Sequence, residues 1–204
     1  SVEIKQKKNL SVTLGIQMVL MPQFAGQIIP FAKLGKMLGV DYAIIKHCSD
    51  DEKRSLGINY SQYFDLTGLL KEAESLSTEN YLVKAKWSKI LSDGKRKYTR
   101  CYGPAFIMQF SGSGLVAPCG MLFNGRYSKY HIGNIAETPF KKIWRSKRYQ
   151  DALSALASDK FDPKTMCGTL CLQHKVNEFL WKLKTESSPL PEAGEGVAPH
   201  VNFI

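Results

Sequence analysis

The 204-residue chain predicts an α/β protein, with a parallel β-α-β unit near its start and a smaller α+β part carrying four of its five cysteines. Three observations lead there. Apolar residues alternate over 10–18, a run with helical spacing fills 28–38, and a nearly continuous apolar stretch covers 40–47. The cysteines beyond residue 100 then fall into two spaced pairs. With 44% hydrophobic and 11% aromatic residues, the chain has enough apolar surface for one large core or two small ones.

In the first strand Leu10, Val12, Leu14, Ile16 and Met18 alternate with smaller or more polar neighbours, and Pro22 ends it. Ile28, Ile29, Phe31, Leu34, Met37 and Leu38 then recur at helical spacing, with Gly39 as a C-terminal stop. Val40, Tyr42, Ala43, Ile44 and Ile45 make a second strand, apolar throughout as expected where a parallel sheet is covered on both faces. Both strands therefore end at one edge, the carboxyl edge where α/β proteins place ligands, which puts Lys46, His47 and Cys48 there.

Residues 50–63 are polar and turn-rich. A helix is expected over 64–76, with Leu66, Leu69, Leu70 and Ala73 on one face, and another strand over 81–87. The charged turn at 92–97 marks a domain boundary. Beyond it, 106–110 and 115–118 flank Ser111-Gly112-Ser113-Gly114, which has the chemistry of a hairpin turn. One helix or two short ones fit 140–157, and a last helix is expected to begin near Cys171. From Glu186 the composition turns to Pro, Gly, Ser and Glu, as in a mobile tail.

Charge narrows the partners only in part. With 28 basic and 18 acidic residues the net charge of +10 favours an anion, whether nucleic acid, phosphate or an anionic cofactor. Seven basic residues between Arg126 and Arg148 are opposed by Glu137 alone; each is as well explained by a solvated helix face as by a ligand. No uninterrupted apolar run reaches the roughly 18 residues of a membrane span, so a soluble, cytoplasmic protein is expected. Lys5, Lys7 and Lys8 before the apolar run 11–21 imitate a signal peptide, but Gln17 interrupts that run and Met21-Pro22-Gln23 is no cleavage site. The first residue is not Met, from which we expect the sequence to begin partway through a longer polypeptide.

Cysteine spacing carries the most chemistry. Cys101 and Cys119 bracket the hairpin, while Cys167 and Cys171 stand three residues apart at the expected entry to a helix, which would place both on one face. Two converging pairs supply the four ligands of a tetrahedral zinc or an iron–sulfur cluster, and spacing alone does not separate the two. Buried free thiols as core filler do not account for the spacing, and two disulfides suit a secreted protein better. Cys48 beside His47 is no nucleophile–base dyad, because adjacent strand residues point to opposite faces. Lys46 and Cys48 do share a face. His131, His174 and His200 are ordinary polar residues on this view, His174 alone lying near the metal cysteines.

The order Cys101-x12-Gly114-x4-Cys119, Gly133-Asn134-Ile135, Ile143-Trp144-Arg145-Ser146, Cys167-x3-Cys171 and Asn177 resembles the auxiliary-cluster region, of SPASM or twitch type, at the C-terminal end of radical S-adenosylmethionine (radical SAM) enzymes. The segment before it is similar to the last β-α-β part of that family's partial TIM barrel. The resemblance implies an α/β fold in which residues 1–90 form the C-terminal part of a partial (β/α) barrel. Residues 91–185 would form a small α+β cysteine-rich auxiliary-cluster domain, and 186–204 a flexible tail. It implies one auxiliary [4Fe-4S] cluster on Cys101, Cys119, Cys167 and Cys171, serving electron transfer or substrate binding, with Lys46 and Cys48 touching the cofactor S-adenosylmethionine (SAM) or the substrate.

The family's catalytic C-x3-C-x2-C loop does not occur in the sequence, and Cys167-x3-Cys171-x2-His174 has His in the third place. The resemblance therefore implies an oxidoreductase or maturase-like enzyme inactive as this chain alone, with SAM and a second [4Fe-4S] cluster in a missing N-terminal part. A peptide or anionic small molecule would be its substrate and a flavodoxin or ferredoxin its reductant, with no membrane partner. The rival is a basic zinc module contacting nucleic acid through Lys, Arg and aromatics such as Tyr127, Tyr130 and Trp144. That rival explains the charge but not the β-α-β unit, and the C-x2-C knuckles common in zinc ribbons do not occur.

Overall fold

The computed structural model describes residues 1–169 and 171–186. The chain separates into two compact units, one of residues 1–50 and 54–94, the other of 51–53 and 95 onward. The expected tail lies outside the described residues except for Glu186.

The first unit opens with helix α1 (Val2–Lys7), then strand β1 (Gly15–Leu20). A 3-10 turn over Pro22–Gln27 leads into helix α2 (Ile28–Leu38), which Gly39 ends in the left-handed conformation, its N–H returning to the last turn. Strand β2 (Tyr42–His47) follows, then helices α3 (Gln62–Asp65) and α4 (Thr67–Ser75), strand β3 (Leu82–Ala85) and helix α5 (Trp87–Ile90). The expected helix at 64–76 is thus two pieces, parted at Leu66.

The sheet has the order β1-β2-β3, and both pairings are parallel. Central β2 is buried along most of its length: Ala43 and Ile45 join Ile28, Ala32, Leu70, Ala73 and Val83 in one core, and Ile44 is buried as well. Edge strand β1 alternates between exposed and partly buried positions, as its sequence pattern requires. Ahead of β2, the Asp41 carboxylate accepts from Lys5 Nζ at 2.5 Å and from the Leu14 N–H at 2.6 Å, fastening the entries to β1 and β2. Burial disfavours that charge, but the Lys5 and Leu14 hydrogen bonds outweigh it and hold the carboxyl below its ordinary value.

In the second unit, β4 (Gln109–Phe110), β5 (Leu115–Ala117) and β6 (Gly133–Asn134) form an antiparallel sheet in the order β4-β5-β6. The hairpin pairs Phe110 with Val116, and β5 pairs Val116 with Gly133. Helices α6 (Phe140–Trp144) and α7 (Lys147–Leu156) are separate because Ser146 turns extended and caps α7, its Oγ accepting from the Tyr149 N–H at 3.1 Å. Helix α8 (His174–Thr185) closes the described chain. Val116, Ile132, Ile143, Tyr149 and Ala152 form one apolar core here; Leu122, Tyr127, Tyr130, Leu156 and Phe161 form another. No helix among the described residues is long and apolar enough to cross a membrane.

Candidate metal centre

Cys101, Cys119 and Cys167 pack against the second of those cores, so an apolar wall backs the thiols and keeps water from one side. All four distant cysteines are free and half-buried. They feel one another. Burial first, and then Cys171, Cys167 and Cys119, push the Cys101 thiol far above its ordinary value. Burial and the nearby Cys167 push Cys119 up to about 12. Cys167 reaches about 11, raised by burial and Cys171 against the opposing charge of Arg96. The four thiols are thus near enough to interact electrostatically.

Local structure aims each sulfur. The Cys101 backbone N–H donates to the Leu156 carbonyl at 3.0 Å, tying its loop to the end of α7. Asn177 on α8, nearly fully buried, accepts from the backbone N–H groups of Tyr102 and Gly103 and donates to the Arg100 carbonyl at 2.8 Å. Cys119 follows β5, in an extended conformation before a 3-10 turn. Backbone N–H groups then face the sulfurs, from Gly103 on Cys101, from Met121 and Leu122 on Cys119, and from Gly168 on Cys167. Each favours the thiolate.

Cys167 and Cys171 are not on a helix. Both precede α8, which starts only at His174, so it is a loop and not a helical face that brings them together. Gly168, a weak helix former, sits between them, and the loop holds Thr169 buried.

Arg96 went unnoticed in the charged turn at 92–97. Its Nη2 donates toward Cys167 Sγ at 3.7 Å, its Nη1 to the Pro163 carbonyl at 3.0 Å and its Nε to Tyr98 Oη at 3.2 Å. Burial works against its charge, but Cys167, Tyr98 and Cys171 outweigh burial and raise its pKa above the ordinary value. Buried Tyr98 in turn bonds His174 Nδ1 at 3.1 Å, so His174 is a packed structural partner. Over 95–98 the burial alternates, Lys95 and Lys97 facing solvent while Arg96 and Tyr98 turn inward, but the run Lys-Arg-Lys gives no sign of this in the sequence.

The basic stretch is divided among several tasks. Arg126 pairs with Glu52, and Arg148 donates to the carbonyls of His131, at 2.5 Å, and Ser128, at 3.3 Å. Of the histidines, His131 bonds the Leu122 carbonyl at 2.8 Å, and His200 lies outside the described residues.

In the first unit, Lys46 and Cys48 stand at the carboxyl edge of the parallel sheet, both half-buried. The Cys48 N–H bonds the Leu20 carbonyl at 2.9 Å and Tyr63 Oη at 3.1 Å, and its carbonyl accepts from Tyr60 Oη at 3.1 Å. Burial and then Asp50 raise the Cys48 thiol, the reverse of what a nucleophile needs. Burial and the charge of Lys46 lower the pKa of Lys86, which follows β3 at the same edge.

A four-thiolate zinc site needs sulfurs only about 4 Å apart, given Zn–S bonds of about 2.3 Å. Among the described residues no group of three or more His, Cys, Asp or Glu is placed to hold a single metal ion. An iron–sulfur cluster takes each thiolate on a different iron, so its ligands stand farther apart while still sharing one space. Four coupled thiols with backbone N–H groups and a guanidinium on them supply the donors that an iron–sulfur cluster takes.

Residues 101–171 match the family model of SPASM, an iron–sulfur cluster-binding domain, a span that opens on Cys101 and closes on Cys171. The matched span lies wholly within the second unit. Three solved structures are similar to the chain. Native anSMEcpe with bound AdoMet has a TM-score of 0.44 and 15% identity, over 90% of this chain and 57% of that one. SeMet BtrN in an open conformation has a TM-score of 0.34 and 16% identity, over 86% of this chain and 80% of that one. BtrN in complex with AdoMet and 2-DOIA has a TM-score of 0.35 and 18% identity, over 84% of this chain and 66% of that one. The chain thus spans 57% of the length of the first of these. No curated protein matches it by sequence.

Proposed function

We propose that the chain is the C-terminal part of a radical SAM enzyme of oxidoreductase or maturase type and that Cys101, Cys119, Cys167 and Cys171 hold one auxiliary [4Fe-4S] cluster. The observation that carries this reading is the electrostatic coupling of four thiols, drawn from positions up to 70 residues apart, inside a segment that matches an iron–sulfur cluster-binding domain. Such a cluster, when bound, supplies one-electron transfer.

The chain's own residues then have separate tasks. The four thiols bind, and with all four engaged no iron is left open for substrate, which favours electron relay over substrate binding. Leu122, Tyr127, Tyr130, Leu156 and Phe161 exclude water from behind the site. The guanidinium of Arg96 and the N–H groups of Gly103, Met121, Leu122 and Gly168 offset the negative charge of the assembly.

In the same proposal the first unit is the end of a partial (β/α) barrel, and Lys46 and Cys48 at its carboxyl edge contact SAM or substrate. The three-cysteine loop that binds the radical-generating cluster does not occur in these 204 residues, so that cluster is supplied from outside them. The chain alone has no radical SAM activity on this reading. The substrate is a peptide or an anionic small molecule, and the reductant an acidic carrier of the flavodoxin or ferredoxin kind.

The test is anaerobic purification. The expected protein is brown, with broad absorption near roughly 400 nm, and Cys119→Ala loses most of its iron and sulfide. A colourless protein with stoichiometric zinc would overturn the proposal, as would full cluster retention in Cys119→Ala.

A further inference from the structure

A basic cleft opens beside the apolar core that backs the thiols. It has a volume of about 560 Å³ and its lining includes Lys129, Tyr130, Lys147, Arg148, Asp151, Ala155 and Lys160. Asp151 is the one carboxylate there, and Lys147 engages it at 3.0 Å, which leaves Lys129, Arg148 and Lys160 as uncompensated positive charge. Arg148 is held in place by its two backbone carbonyls. Lys129 lies over the Tyr130 ring at 4.9 Å from the centroid. The Lys160 ammonium has no acceptor among the described residues.

The floor of the cleft gives these charges a purpose. Tyr130 and Ala155 line it and also belong to the apolar cluster against which Cys101, Cys119 and Cys167 pack. The cleft and the thiols therefore share one apolar cluster.

We infer that this cleft is the docking surface for a small acidic electron-carrier protein, an inference that rests on the electron-relay role proposed above. Charge complementarity argues for the partner: a ring of cations of one sign steers an acidic protein and fixes its orientation without requiring a tight complex. The basic residues outside the cleft argue for the location. Arg126 is neutralised by Glu52, and Lys141 and Lys142 lie on α6, not at the cleft.

The experiment measures the affinity of an acidic flavodoxin for the 204-residue chain at low and at near-physiological salt. The chain is compared with Lys129→Glu/Lys160→Glu and with the control Lys141→Glu/Lys142→Glu, which changes charge equally on the same unit. We expect salt-sensitive binding, weakened about tenfold or more by the cleft variant and changed less than about twofold by the control. Absence of binding, or equal weakening by both variants, overturns the inference. So does tighter binding of a short DNA duplex or single-stranded RNA that the cleft variant abolishes, since the cleft would then be a nucleic-acid surface. Iron and sulfide are assayed on the same samples, so a failure of the cluster proposal appears there and not in the affinity.

Discussion

Arg96 and Asn177 are the two side chains whose removal separates tuning from building. Among the described residues the Arg96 guanidinium reaches a candidate ligand, at 3.7 Å from Cys167 Sγ. Arg96→Gln keeps a donor but removes the charge, so the cluster is expected to stay bound while its midpoint potential falls, by on the order of tens of millivolts. Redox titration followed by electron paramagnetic resonance measures this, and an unchanged potential would show Arg96 to be structural only. Asn177→Ala leaves two backbone N–H groups and one carbonyl in the Cys101 loop without partners, at a cost of about 2–3 kcal/mol. Its iron content should fall with its stability in denaturant titration. Of these two, Asn177 belonged to the recognisable order of residues, whereas Arg96 meets a cysteine 71 positions away that no local pattern links to it.

The hairpin between Cys101 and Cys119 depends on Gly114. Its φ of +81° is one that side chains rarely adopt, and an added Cβ would stand 2.4 Å from Asn134 Oδ1. Asn134 is itself engaged, since its Nδ2 donates to the Ser113 carbonyl and its Oδ1 accepts from the Ala136 N–H. Gly114→Ala is therefore expected to cost about 1–3 kcal/mol in thermal or denaturant unfolding and to reduce cluster loading. Unchanged stability and loading would contradict this account of the turn. The same hairpin was legible in the sequence because turn chemistry is local. The loop of Cys167 and Cys171 was not, because a three-residue spacing suits a helix and a turn equally, and only the start of α8 at His174 separates the two. Likewise α2 and β2 followed from period and from Gly39, whereas β1 begins only at Gly15, which leaves Leu10, Val12 and Leu14 of the expected strand outside it, and the break between α6 and α7 depended on how Ser146 uses its hydroxyl.

For the whole molecule, the sequence suggests a division near residue 91, and along the chain the first compact unit runs to Gly94 and the second resumes at Lys95. That Asp51 to Lys53 group with the second unit had no sequence signal, because the Arg126–Glu52 ion pair is a tertiary event. The thiol cluster has a cost in the metal-free chain. Cys119 and Cys167 are held neutral with folded pKa values of about 12 and 11, above the ordinary 9.0. Groups raised in this way contribute stability below the unfolded value and lose it as pH rises through the folded one. The metal-free chain should accordingly lose stability above roughly pH 9, and alkylation of these thiols should be slow at neutral pH. Thermal unfolding at stepped pH checks the first, and a melting temperature that does not fall above pH 9 would contradict it.

X-ray absorption of the anaerobically prepared chain, taken at both the iron and the zinc edge, goes straight to what the four sulfurs hold. The account predicts iron with a sulfur shell and a second shell of iron neighbours, both lost in Cys119→Ala. Zinc with a single shell of sulfur and no metal neighbour would contradict it.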